Sequence, residues 1–280
     1  MALSDTDIER FREQGFLAIE GVFRPSQMAA LRSAAAEIVD AFDADAHRTV
    51  FRTDDRDTGR DDYFFDSSEA VHCFLEAGAL DTDGGLNREK SLAINKIGHA
   101  LHDRDATFRT FCSHPWFGAA LRDLGYVAPV VMQTMYIFKQ PGIGGEVRWH
   151  QDASYLISAP PGVTGVWVAV EDATETNGCL WLQPGAHRLP LRERYTVDWR
   201  AREGGLETLD DTPWQGSEPA VPVPVPAGSV VLFHERMPHY SSENRSQRSR
   251  HAFTMHVTEQ LVEWSALNWL QRPTLPPFRL

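Results

Sequence analysis

Arg148-Trp149-His150-Gln151-Asp152 sets a histidine and a carboxylate two residues apart. On an extended strand alternate side chains share a face, with their Cα atoms about 6.5 to 7 Å apart, so His150 and Asp152 can reach one metal ion together. A third ligand has to come from far along the chain, and Phe233-His234-Glu235-Arg236-Met237-Pro238-His239 offers two histidines, His234 and His239. Two imidazoles and one carboxylate on one face of an octahedron leave three open positions. Non-haem Fe(II) oxygenases use these for a co-substrate and O₂. The His-x-Asp pair alone is a weak signal because it is common by chance, so the residues around the distal histidine carry the argument.

Ser241 lies two residues past His239 and projects to the same side of a strand, while Arg248 and Arg250 follow at a distance that permits a hairpin return. A guanidinium is always charged and presents a planar fork that matches a carboxylate. Facing a metal, it suits the distal carboxylate of 2-oxoglutarate, whose 2-oxo-acid end chelates iron. Arg248 and Arg250 have the same strand parity, so facing alone leaves both open as the clamp.

The runs Ile94-Asn95-Lys96-Ile97-Gly98-His99, Met135-Tyr136-Ile137-Phe138-Lys139-Gln140-Pro141, His150-Gln151-Asp152-Ala153-Ser154 and Asn177-Gly178-Cys179-Leu180-Trp181 resemble the phytanoyl-CoA dioxygenase family nearly end to end. The resemblance implies a double-stranded β-helix, also called a jelly roll, and an Fe(II)- and 2-oxoglutarate-dependent dioxygenase that consumes O₂. It selects His239 over His234, because only His239 has the serine two residues on and the arginine eleven on, and it selects Arg250 over Arg248. It further implies that Lys96 lies near 2-oxoglutarate, that Met135 lines the same pocket, that Trp167 packs beside the co-substrate and that Ser241 is the hydroxyl partner of its distal carboxylate. His187, in Pro184-Gly185-Ala186-His187, matches a structural turn. An aspartate at 152, where related iron halogenases carry a small residue, favours hydroxylation.

Composition narrows the function classes. A formal charge of −12 disfavours nucleic acid, whose phosphates need clustered Lys and Arg. The lack of a basic stripe also weighs against coenzyme A thioesters and for a smaller organic substrate. The locally basic run at Arg192, Arg194, Arg200 and Arg202 is expected to be a solvated loop. No run of about 18 apolar residues is present, which argues against membrane insertion. The acidic start Met1-Ala2-Leu3-Ser4-Asp5-Thr6-Asp7 argues against a secretory signal. Cys73, Cys112 and Cys179 show neither disulfide nor zinc spacing, which fits a reducing cytoplasm. A zinc or manganese hydrolase could share the ligands but would leave Arg250 and Ser241 without purpose. A non-catalytic 2-oxoglutarate or metal sensor would keep the site and lack a substrate pocket.

Along the chain, one domain over 1–280 is expected, mainly β with flanking helices. The first 45 residues read as helices, with a stop at Gly15 and a start at Pro25. A polar stretch over 51–66 reads as a lid loop. Helix is expected again around Val71–Phe74 and from Ile94 through Leu101 into Phe108 and Leu121, closing a mostly helical part at 128. From 129 the texture turns to strands, at Val130–Gln140, Thr164–Glu171, Gly178–Gln183, Gly228–Phe233 and Ala252–Thr258. These suit the β-helix core over 129–280, interrupted by an insertion over 190–226.

Overall fold

Alternation along the strands sorts the side chains into two layers. The computed structural model describes residues 1–51, 61–214 and 219–280. Its strands are β1 (Phe16–Ile19), β2 (Val71–Leu75), β3 (Ile94–His99), β4 (Pro129–Ile137), β5 (Val147–His150), β6 (Ser158–Ala159), β7 (Val163–Ala169) and β8 (Leu180–Leu182). Then follow β9 (Glu193–Asp198), β10 (Glu203–Thr208), β11 (Val221–Val223), β12 (Val230–His234), β13 (His239–Ser241), β14 (Ala252–Glu259), β15 (Glu263–Trp264) and β16 (Phe278–Arg279). A main sheet runs β1-β12-β7-β14-β4-β3-β2, with β16 also on β4, and a four-stranded sheet runs β11-β8-β13-β5.

On the main sheet Val166, Val168, Val230, Leu232, Phe253 and Met255 turn to one side. There they pack with Met28, Leu31, Phe108, Phe111, Phe117 and Leu121 of the helices. Their neighbours Trp167, Ala169, Val231, Phe233 and Ala252 turn to the other side and meet Leu180, Leu182 and Val223 of the small sheet. Two antiparallel sheets closed over one interior form the expected jelly roll. The helices are α1 (Asp5–Gln14), α2 (Pro25–Ala41), α3 (Asp62–Asp66), α4 (Leu101–Arg104), α5 (Ala106–Cys112) and α6 (Pro115–Asp123). Gly15 ends α1 in the left-handed region at φ 81°, and a Cβ there would lie 2.2 Å from the His187 ring. Pro25 occupies the first turn of α2. No described helix is long and apolar enough to cross a membrane.

Several expectations are corrected. The first 45 residues are not all helical, because Phe16–Ile19 forms β1 and pairs with β12. Val71–Leu75 and Ile94–His99 are strands rather than helices. The reason lies in a bulge: Phe74 pairs with Lys96 and Leu75 with Ile94, so Asn95 is extra. Ile94 and Ile97 therefore both reach the apolar core at a spacing that imitates a helix. Of the lid over 51–66, residues 52–60 lie outside the described residues, and its end is the short helix α3. The insertion is smaller than 190–226, since β11 pairs with β8 as the outer strand of the small sheet. An edge strand tolerates Pro222, whose missing N–H costs no ladder bond. What is added to the barrel is the hairpin β9-β10.

Candidate active site

The register of the small sheet places His239 of β13 directly opposite His150 of β5. Their ring centroids are 4.1 Å apart. In each ring Nδ1–H donates to the carbonyl two residues earlier, His150 to Arg148 at 2.8 Å and His239 to Met237 at 2.9 Å. With Nδ1 protonated, Nε2 carries the lone pair, the tautomer a metal ligand needs. Both Nε2 atoms face the same oxygen of Asp152, Oδ1, from 3.9 Å and 3.7 Å. Asp152 does not share the strand with His150 as expected, because β5 ends at His150 and Asp152 opens a 3₁₀ turn over Asp152–Ser154. The turn swings the carboxylate under the two rings, and ligand atoms of His150, Asp152 and His239 lie within 4.8 Å of one another.

Electrostatics suit a cation there. Burial and the neighbouring His239 push the His150 imidazolium down to about 3, so the ring is neutral and has a lone pair to offer. Burial alone would raise the Asp152 carboxyl; the His256 and His239 rings and a hydrogen bond from His256 outweigh it and hold the group ionised. His256 was not legible as a site residue. Its Nε2 lies 2.9 Å from Asp152 Oδ2, and its Nδ1 lies 2.7 Å from the side-chain amide of Gln133. The rival His234 sits at the end of β12 with its ring 5.4 Å from His187, outside the cluster.

The cluster opens into a cavity of about 390 Å³ that also contains Lys96, Met135, Trp167, Ser241 and Arg250. Arg250 is 2% exposed, with Nη2 3.4 Å from Ser241 Oγ and the guanidinium 5.6 Å from the Trp167 ring. Among the described residues its Nε and Nη1 have no partner, nor does Oγ1 of Thr254, which lines the same cavity. Burial pushes Arg250 down to about 10, which leaves it charged at neutral pH. Arg248, by contrast, points outward with a side chain 79% exposed near Asp172. No hairpin carries Arg250 back: β13 and β14 belong to different sheets, and the connection between them runs over the surface, with Glu243, Arg245, Gln247 and Arg248 exposed. Lys96 Nζ lies over the Phe51 ring, 3.1 Å from its centroid, and 3.8 Å from Met135 Sδ.

Lys139 was also missed. Its buried ammonium donates to the carbonyls of Gly145, Ser241 and Ser242, tying the loop before β5 to the end of β13. Burial, and then Arg250, lower its basicity. The other end of the cavity is walled by Phe64, Tyr155, Leu156, Tyr195, Leu206 and Trp269. There Arg148 is held by both oxygens of Glu193, at 3.0 and 2.9 Å.

The sequence profile described as Phytanoyl-CoA dioxygenase (PhyH) matches residues 11–252. The chain belongs to the phytanoyl-CoA dioxygenase family. It is 39% identical over 276 residues to Phytanoyl-CoA dioxygenase of Arabidopsis thaliana, covering 98% of this chain and 96% of that one. It is 41% identical over 282 residues to Phytanoyl-CoA dioxygenase domain-containing protein 1 of Mus musculus, covering 98% and 97%. Among solved structures, SnoK, a non-heme alpha ketoglutarate dependent carbocyclase from nogalamycin biosynthesis, superposes with a TM-score of 0.68 at 21% identity, covering 94% of this chain and 86% of that one. That likeness concerns the fold: a jelly roll with flanking helices, as in this member of the family.

Proposed function

We propose that this protein is an Fe(II)- and 2-oxoglutarate-dependent dioxygenase that hydroxylates a small organic substrate and releases succinate and CO₂. The observation that carries the reading is Arg250: a buried guanidinium with two nitrogens lacking protein partners, in the cavity that also holds His150, Asp152 and His239. Burying an unpaired charge costs several kcal/mol, on the order of the penalty for an isolated ion, so the site is built for an anion. A carboxylate meeting the fork bidentately answers that need. A zinc hydrolase or a bare metal sensor gives Arg250 nothing to hold.

In this reading His150, Asp152 and His239 hold the metal, and bound iron with 2-oxoglutarate and O₂ supplies the oxidising power for a C–H bond. Arg250 and Ser241, with Thr254 beside them, take the distal carboxylate, and Trp167 forms the wall against which the co-substrate lies. Lys96 places positive charge in the same cavity, next to Met135. The aromatic end around Tyr155, Tyr195 and Trp269 holds the prime substrate and excludes water from the reacting atoms. SnoK is described as alpha ketoglutarate dependent, and the family name specifies a dioxygenase; both support the reading.

Anaerobic titration should saturate at one Fe(II) per chain, and succinate should form only when Fe(II), 2-oxoglutarate and O₂ are all present. Tight Fe(II) binding without any succinate would favour the sensor, and zinc-dependent hydrolysis would favour the hydrolase.

A further inference from the structure

Asp152 presents its two oxygens to different partners. Oδ1 faces His150 and His239, at 3.9 and 3.7 Å, whereas Oδ2 is engaged by His256 Nε2 at 2.9 Å. The tautomer of His256 follows from its other contact. Gln133 Nε2 is an amide nitrogen that can only donate, and it lies 2.7 Å from His256 Nδ1. In this amide orientation, which leaves Gln133 Oε1 without a partner among the described residues, Nδ1 accepts, and the ionised Asp152 carboxylate can only accept from Nε2–H. This is the reverse of His150 and His239, whose Nδ1 atoms donate and whose Nε2 atoms turn a lone pair towards Asp152 Oδ1. The three histidines around one carboxylate are thus sorted by their backbone and amide partners into two metal ligands and one hydrogen-bond donor.

Local structure delivers the pair to the interior. Phe253, Met255 and Val257 of β14 face the helices, so Thr254 and His256 face the cavity. On β4, Val131 pairs with Val257 and Gln133 with His256, leaving Met132 as a bulge. Val131 packs among the helices, and a regular strand would turn Gln133 the same way; the bulge reverses the parity and puts Gln133 beside His256.

We propose that His256, with its tautomer held by Gln133, is a positioning residue that keeps Asp152 a one-oxygen ligand and so preserves room at the metal for O₂ beside the chelating co-substrate. The proposal rests on the iron and 2-oxoglutarate reading above. A carboxylate with both oxygens free can bind a metal through both. With Oδ2 committed to His256, Asp152 offers the metal Oδ1 alone, and three of six octahedral positions stay open.

The test compares wild type, His256→Phe, His256→Gln and Gln133→Leu. Under anaerobic conditions two titrations are run: Fe(II) binding by calorimetry, then 2-oxoglutarate binding to the Fe(II)-loaded protein by its visible charge-transfer band. In His256→Phe the proposal expects Fe(II) and 2-oxoglutarate affinities within about threefold of wild type, a displaced band, and succinate formation after admission of O₂ slowed about tenfold or more. In His256→Gln, whose amide can donate from the position of the imidazole Nε2, both band and rate should return towards wild type. Gln133→Leu should fall between, because His256 remains but its tautomer is no longer imposed.

A loss of Fe(II) affinity of tenfold or more in His256→Phe would overturn the proposal, as would a wild-type band with a wild-type rate of succinate formation. If His256→Phe does not fold, Gln133→Leu with a wild-type band and rate would overturn it. A wild-type protein that binds no Fe(II), or binds it without the 2-oxoglutarate band, would overturn the underlying reading and the proposal with it. Normal wild-type binding with no change of band or rate in the variants defeats the proposal alone.

Discussion

Replacing Arg250 by Ala separates what the guanidinium does for the fold from what it does for the co-substrate. In the free protein its contacts are few: one long hydrogen bond to Ser241 at 3.4 Å and a cation–π contact with Trp167 at 5.6 Å, with Nε and Nη1 unmatched. Removing an incompletely paired buried charge also removes its desolvation penalty, so the apo protein should lose little stability despite the lost side-chain volume. The bound state differs. A charge-assisted bidentate contact contributes about 1.5 to 3 kcal/mol, so the Kd for 2-oxoglutarate should rise roughly ten- to hundredfold. Ligand-induced stabilisation follows from RT ln(1 + [L]/Kd). At about 100 times the wild-type Kd it is about 2.7 kcal/mol, falling to about 1.4 or about 0.4 kcal/mol for Kd raised tenfold or a hundredfold. Thermal unfolding of the Mn(II)-loaded protein with and without 2-oxoglutarate reads this directly, and half-saturation of succinate release gives an independent value. Arg250→Lys should recover only part, since a point charge lacks the fork. An unchanged requirement for 2-oxoglutarate in Arg250→Ala, with loss in Arg248→Ala, would refute the reasoning and move the clamp to the surface arginine.

His239→Ala should abolish Fe(II) binding and succinate release while His234→Ala keeps both; the reverse pattern in calorimetry would displace His239 from the ligand set. Gly165 lies under Phe233, where an added Cβ would come within 2.3 Å of the ring, and Phe233 in turn packs 4.7 Å from the His239 ring. Gly165→Ala should therefore cost about 1 to 3 kcal/mol of stability through overpacking and also weaken Fe(II) binding, whereas a stability loss with wild-type Fe(II) affinity would show that Phe233 yields away from the histidine. With a cavity of about 390 Å³ and a net charge of −12, the enzyme should prefer a molecule smaller than a coenzyme A thioester. A stoichiometric yield of 2-hydroxyacyl-CoA from a long-chain acyl-CoA, at the rate of succinate release, would contradict this.

The parts of the site legible in the sequence were those whose chemistry demands a residue type. Iron ligation restricts the choice to His, Asp and Glu, and a carboxylate clamp to Arg, so His150, Asp152 and a distal His–Ser–Arg set stood out before any fold was known. Choosing Arg250 over Arg248 needed the family offset, because the two share strand parity, and choosing His239 over His234 needed the serine two residues on and the arginine eleven on. Where β-bulges intervene, parity misleads. The extra Asn95 in β3 gave Ile94 and Ile97 a helical spacing inside a strand, and the extra Met132 in β4 hid Gln133 on what a regular strand would make the helix side. His256 was recoverable in principle, since it shares parity with Thr254 on a strand following Arg250. Its contact with Asp152 depends on a turn that begins only after β5 ends, and no pattern in Arg148–Asp152 announces where a strand stops.

The centre is assembled by register more than by proximity in the chain. His150 and His239 are cross-strand partners, and Leu182 of β8 faces His239 from the other side. A slip of one residue between β5 and β13 would turn one imidazole from the interior to the opposite face. The interior apolar residues Leu180, Leu182, Trp167 and Phe233 prevent that slip, because the same shift in the small sheet would expose its buried leucines. The same packing that stabilises the jelly roll therefore sets how the two imidazoles face each other, and Ser241, two residues beyond His239 on β13, inherits the orientation that brings it to Arg250. His239 and Ser241 are thus aligned by one short strand, which explains why the serine's offset from the histidine carries so much of the reading.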